Sequence, residues 1–132
     1  MREHRVDVRV YYKDTDAGGV VYHTRYAEFF EIGRTEMFRE LGLSAAELDH
    51  RFGLLCPVVE LNVKFRRSAR YDDLLTVTTS VTQVTAARIF FQSVVKNEQG
   101  ETMAEGGTVN CAVDRATMKA VRLPDALIAL FG

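Results

Sequence analysis

The chain is poor in cysteine and proline, with two of each among 132 residues, and it has no tryptophan. Cys56 and Cys111 are too few and too distant for a disulfide scaffold. Each stands in an apolar, strand-like run, which predicts buried, reduced thiols without a redox role. No apolar run approaches the roughly eighteen residues that would cross a bilayer, so no membrane insertion is expected. After Met1-Arg-Glu-His-Arg5 no sustained apolar stretch follows, which predicts no signal peptide and a cytoplasmic protein. A formal net charge of −1 gives no global attraction to nucleic acid or to an anionic membrane. Repeats, linkers and low-complexity segments are absent, so residues 1–132 read as a single domain.

What the chain does have is one concentrated stretch, Val10 to His23, containing Asp14-Thr-Asp16-Ala-Gly18-Gly19. Before it, Val6, Val8 and Val10 alternate with Arg5, Asp7 and Arg9, the period of a half-buried strand expected to run to about Lys13. The Asp and Gly residues then supply turn chemistry over Asp14–Gly19. From Thr24 to Leu41, Tyr26, Phe29, Phe30, Gly33, Met37, Phe38 and Leu41 recur at helical spacing, with charged residues, Arg34 included, mostly between them. Gly33 would let this helix approach a sheet closely. Gly42 suits a helix end, and Ser44-Ala-Ala-Glu47 reads as a capping box opening a short helix to about Phe52.

Beyond Pro57 the pattern is strand-like. Val59, Leu61, Val63 and Phe65 alternate with polar residues, as do Leu75, Val77, Thr79 and Val81, predicting two half-buried strands. In Ala87–Val95 the apolar residues fall on both faces, Ile89 and Phe91 against Phe90 and Val94. A hairpin at Asn97–Gly100 leads into Thr102–Val113, where Gly106-Gly107 marks a bulge or a close backbone approach. A short return near Met118–Arg122 and a small helix opening at Pro124 complete the chain. The expected fold class is α+β, a long helix packed on a five-stranded antiparallel sheet. One helix covers one face, so the two-sided strand with Phe90 and Phe91 predicts a second subunit and at least a dimer.

The pattern Asp14-x-Asp16-x-x-Gly19-x-Val21-Tyr22-His23-x-x-Tyr26, followed by Arg34-Thr35-Glu36, resembles the signature of the hotdog-fold acyl-CoA thioesterases. It is most similar to their Tol-Pal-associated branch and more distantly to hydroxybenzoyl-CoA thioesterase. Phe65-Arg-Arg-Ser-Ala-Arg-Tyr-Asp72-Asp73 resembles the family's second landmark, so the likeness extends over nearly the whole chain. The resemblance implies a single hotdog domain, sheets joined edge to edge in a homodimer or homotetramer, and active sites at the subunit interface. It puts Asp16 on the catalytic carboxylate, His23 on the histidine of the Tol-Pal-associated branch, and a backbone N–H near His23 on the oxyanion donor. Gly19, Tyr22 and Tyr26 then fall on the substrate, an acyl-CoA, and no cofactor is implied beyond the coenzyme A that the substrate carries.

These residue types suit the chemistry. Thioester hydrolysis needs attack on a carbonyl, a stabiliser for the oxyanion and departure of a thiolate. An Asp carboxylate, ionised at neutral pH, can serve as general base or as nucleophile, and the residues alone do not choose between the two. The start of the Thr24 helix offers unpaired N–H donors, and a histidine can orient the carbonyl or protonate the leaving group. The bland reading makes Asp14 a turn carboxylate and His23 a packed side chain. A calcium loop starting at Asp14 fails because its twelfth position is Arg25. Asp16, His23 and Glu28 lack metal-ligand spacing, so no metal is expected. Lys64, Arg66, Arg67 and Arg70 form a basic cluster that would suit the phosphates of coenzyme A, or simply solvate a strand edge. A non-catalytic acyl-thioester sensor or scaffold on the same fold is the alternative reading.

Overall fold

The computed structural model describes residues 2–132. The alternating valines form β1 (Glu3–Arg9), antiparallel to β4 (Leu74–Val84), with Val6 opposite Val77 and Val8 opposite Leu75. The strand stops short of the predicted Lys13. The Tyr11 N–H donates to Asp14 Oδ2 at 2.9 Å and closes a 3-10 turn over Tyr12–Asp14, which takes the backbone out of the sheet.

The long helix α1 (Arg25–Glu40) lies on the sheet through Tyr26, Phe29, Phe30, Gly33 and Met37. Gly33 is where the two layers touch, because a Cβ there would strike Thr79 Oγ1 and lie 2.9 Å from Val77 Cγ1. The helix closes when Leu43 N–H reaches back to the Phe38 carbonyl at 2.8 Å. Helix α2 (Ala45–Phe52) opens with the Ser44 hydroxyl accepting from Glu47 N–H, as the sequence anticipates. Two apolar clusters result. One surrounds Phe29 and Phe30 under the first half of α1; the other gathers Met37, Leu43, Leu48, Ile89, Phe91, Leu127 and Phe131.

The sheet order is β1-β4-β5-β6-β3, with β5 (Arg88–Lys96) central, β6 (Thr102–Cys111) beside it and β3 (Val58–Phe65) at one edge. The expectation of a half-buried β3 needs correction. Val59, Leu61 and Phe65 are 48%, 51% and 54% exposed. Among the described residues the strand pairs only with β6, and α1 reaches this edge only where Tyr26 meets Phe65 and where Val63 packs on the core, so most of the apolar face is left half exposed. In β5, Ile89, Phe91 and Val95 are buried beneath the helix while Phe90 and Val94 are half-buried on the opposite face. Gly106 and Gly107 resolve as close backbone approach, since side chains there would run into the carbonyls of Asn62 and Phe91.

Strand β6 ends at Cys111 rather than Val113. Val113–Asp114 (β7) leaves the main sheet and pairs with Leu54–Leu55 (β2), an element too short to leave a period in the sequence. The return near Met118–Arg122 is reduced to one bridge between Val113 and Ala120. Helix α3 (Asp125–Ala129) follows Pro124. Both cysteines are unpaired, Cys111 buried and Cys56 half-buried, and burial pushes the Cys56 thiol up to about 12. No helix among the described residues is long and apolar enough to cross a membrane.

Candidate active site

The segment between β1 and α1 is a small hairpin rather than an open loop. Thr15 bridges Val21, Asp16 N–H donates to the Val20 carbonyl at 2.9 Å, and Gly19 N–H returns to the Asp16 carbonyl at 3.0 Å. Gly19 holds a φ of +78°, a conformation its missing Cβ makes inexpensive. Further pairing of Val21 N–H with Ala69 and of Tyr22 N–H with Asp14 ties the hairpin to the turn before β4 and to its own base.

The two aspartates of the motif occupy opposite environments. Asp14 is 4% exposed; its carboxylate accepts from Tyr11 N–H, lies 3.2 Å from Lys13 Nζ and 3.9 Å from Arg25 Nε. It is a structural anchor. Asp16 is exposed, and Oδ1 accepts from Gly18 N–H at 2.8 Å while Oδ2 makes no hydrogen bond among the described residues. A Cβ on Gly18 would sit 3.2 Å from that Oδ1, so the small residue leaves the carboxylate its place.

Asp16, His23 and Tyr26 line one groove of about 360 Å³, together with Val20, Val21, Phe65, Arg66, Arg67 and Ser68. The His23 ring stands between Tyr22 and Phe65, with centroids 4.5 and 6.2 Å away. Tyr26 forms the floor. Its ring meets Phe65 edge-on, its hydroxyl accepts from Ala69 N–H at 3.3 Å, and burial raises its pKa. Two predicted site residues are not part of the groove wall: Gly19 shapes the hairpin from outside, and the exposed Tyr22 packs on the far side of His23.

The backbone at the start of α1 matches the electrostatic requirement. Arg25 N–H turns back to the Tyr22 carbonyl at 2.9 Å, whereas the N–H groups of His23 and Thr24 make no hydrogen bond among the described residues. Two unspent donors thus lie at the positive end of a sixteen-residue helix, one of them belonging to His23, which lines the groove with Asp16. Such an arrangement can hold a carbonyl, stabilise an oxyanion and supply a base. No group of three His, Cys, Asp or Glu residues fit to hold a metal ion occurs among the described residues.

The basic cluster splits. Arg66 and Arg67 stand at the groove, tethered to Glu105 of β6 (3.6 Å) and to Glu101 just before it (3.1 Å), while Lys64 and Arg70 lie off it. Sequence reasoning missed Phe65 as a groove wall and Arg34 as a buried residue. The alternation places Phe65 on the apolar face of a half-buried strand. Arg34 gave one usable signal, its place four residues from both Phe30 and Phe38 on a helical stripe.

The model of the thioesterase superfamily matches residues 18–104. The chain is 44% identical over 126 residues to the acyl-CoA thioesterase YbgC of Haemophilus influenzae, covering 94% of this chain and 90% of that one. It is 37% identical over 128 residues to the acyl-CoA thioester hydrolase YbgC of Escherichia coli, covering 96% and 94%. Among solved structures, a DHNA-CoA thioesterase from Staphylococcus aureus superposes with a TM-score of 0.86 at 32% identity, over 93% of this chain and 82% of that one.

Proposed function

Because the chain belongs to the thioesterase superfamily and has its hotdog fold, we propose that it hydrolyses acyl-CoA thioesters to the free acid and coenzyme A, with Asp16 as the catalytic carboxylate. The observation that carries the assignment is the exposed Asp16 carboxylate on the same groove as His23, at a helix start whose His23 and Thr24 N–H groups are unspent. The thioester carbonyl oxygen takes those donors. Asp16 either accepts a proton from the attacking water or attacks the carbonyl itself, giving an anhydride that water then opens. Negative charge gathers on the oxygen at the helix start, where the donors are already oriented, and collapse expels the thiolate. His23 orients the carbonyl or protonates the departing sulfur. Gly19, Tyr22 and Tyr26 act through the substrate's setting: Gly19 by shaping the hairpin, Tyr22 by supporting His23, Tyr26 as floor. Arg66 and Arg67 at the rim suit the phosphates of coenzyme A, and no metal or cofactor is needed.

The working unit in this reading is a homodimer joined through β3. Among the described residues its edge is unpaired on one side, its Val59, Leu61 and Phe65 are about half exposed, and its two charges are Glu60 and Lys64. If a second copy pairs antiparallel with Asn62 on the two-fold axis, each Glu60 faces a Lys64, and Val59 faces Phe65 on the side of the helix. That register buries these half-exposed side chains further and matches the charges. The half-buried Phe90 and Val94 on the outer face give two such dimers a surface on which to stack as a homotetramer.

Asp16→Asn tests the assignment. Its backbone bonds hold the hairpin without the carboxylate, so the variant should fold, while kcat falls by roughly 10²–10⁴ and KM changes far less. Near-wild-type turnover by Asp16→Asn would remove Asp16 as the catalytic carboxylate, whereas a wild-type chain that binds acyl-CoA without releasing thiol would favour the acyl-thioester sensor or scaffold.

A further inference from the structure

Arg34 is a charged side chain that the fold buries and leaves unanswered. It is 9% exposed, and its Nη1 is enclosed without a hydrogen-bond partner among the described residues. Desolvation lowers its pKa, opposed by the nearby Glu31, and no ion pair within 4.0 Å forms between them among the described residues. A guanidinium in that setting is costly unless something supplies the missing charge. Arg34 lines a cavity of about 310 Å³ whose walls include Glu31, Phe38, Leu48, Leu54, Val58 and Asn110. Largely apolar walls with an enclosed Arg34 Nη1 that the Glu31 carboxylate on the same wall does not reach suit a short methylene chain ending in an acceptor for that guanidinium.

Within one chain this cavity is remote from the Asp16 groove. Arg34 lies eleven residues beyond His23 along the helix direction, or roughly 16 Å. Strand β3 separates them similarly, because the cavity touches Pro57 and Val58 at its start and the groove touches Phe65, Arg66 and Arg67 at its end. Antiparallel pairing about Asn62 reverses the relation. Val58 of one copy then faces Arg66 of the other, and Pro57 faces Arg67, at the strand spacing of about 4.8 Å. The groove of each copy opens onto the cavity of its neighbour.

We propose that an acyl group attacked at Asp16 of one copy extends into the cavity of the other, where Arg34 pairs with a carboxylate at its far end. The preferred substrates are therefore coenzyme A mono-thioesters of short dicarboxylic acids. The inference rests on the thioesterase dimer proposed above.

The experiment compares glutaryl-CoA with valeryl-CoA, which have equal chain length and differ in the terminal carboxylate. Wild-type kcat/KM should favour glutaryl-CoA at least tenfold. Arg34→Met should lower that ratio at least tenfold, mainly through KM, and Arg34→Lys should fall between, since it keeps the charge but not the planar fork. Removing an unpaired buried cation does not threaten folding, and the lysine variant provides a second reading. Mixed dimers then test the geometry. When an Asp16→Asn chain is paired with an Arg34→Met chain, the one working groove faces the intact Arg34 of the other copy and keeps the wild-type ratio. Loss of the ratio in that mixed dimer would mean that Arg34 acts within its own chain and would overturn the arrangement. An unchanged ratio in Arg34→Met would overturn the substrate assignment. Dimer weakening with an unchanged ratio would give Arg34 an interface role instead. A wild-type chain that is monomeric, or inactive on a broad acyl-CoA panel, would overturn the underlying thioesterase dimer itself, a result distinct from the others.

Discussion

Glu60→Lys offers a direct test of how two copies meet. Glu60 lies opposite Val109 in its own sheet and forms no ion pair among the described residues, so its replacement removes no charge partner within the chain. In the register centred on Asn62, each of the two Glu60–Lys64 pairs becomes a pair of facing lysines. An opposite-charge cross-strand pair contributes roughly 0.2–1 kcal/mol, and a like-charge pair is destabilising by a comparable amount. Two pairs therefore change by about 1–4 kcal/mol together, a dimer weaker by roughly fivefold to several hundredfold. Sedimentation equilibrium at low and high salt reads this directly, and salt should narrow the gap because the pairs are exposed. Adding Lys64→Glu to the same chain restores facing opposite charges and should recover most of the affinity. A Glu60→Lys dimer as tight as wild type, or a double variant as weak as the single one, would refute the register.

Two further outcomes follow from the packing. Gly33→Ala should cost about 1–3 kcal/mol despite the better helix propensity of alanine, because the new methyl meets Thr79 and Val77; Tm should fall by roughly 4–10 °C, and a rise would contradict the close contact of helix and sheet. With its thiol pushed up to about 12, Cys56 stays protonated far above neutral pH, so its alkylation at pH 8 should be slower than that of an ordinary thiol by about two orders of magnitude or more, measured by mass spectrometry; alkylation at the rate of a free thiol would contradict that burial.

The elements that carry a long period were legible from the residues. The valines of β1, the stripe of α1 and the caps at Ser44 and Gly42 each fix a local conformation by local chemistry. The motif also led to Asp16, His23 and Tyr26, which the fold gathers on one groove. Relations between distant elements were less accessible. The alternation of Val59, Leu61 and Phe65 specifies an apolar face but not what lies on it, and in this chain α1 meets it only at Phe65, through Tyr26, and leaves these side chains about half exposed. β2 and β7 are two residues each, too short for any period. Arg34 reads as a surface cation until the helix is laid on the sheet and α2 is folded beside it.

The anchoring of Asp14 bears on the temperature dependence of the reaction. Its side chain holds Tyr11 from below while its carbonyl holds Tyr22 from above, so the ends of the segment carrying Asp16 are clasped by one residue. Folding has thus already withdrawn the wandering that an open surface loop over residues 12–21 would otherwise retain. Substrate meets a carboxylate whose position needs little search, and the entropy of activation for turnover should contain no large contribution from ordering this segment. Lengthening the hairpin by a residue between Ala17 and Gly18 would reintroduce that search, and the enzyme would register it as a slower and more temperature-sensitive step, with the chemical groups all still present.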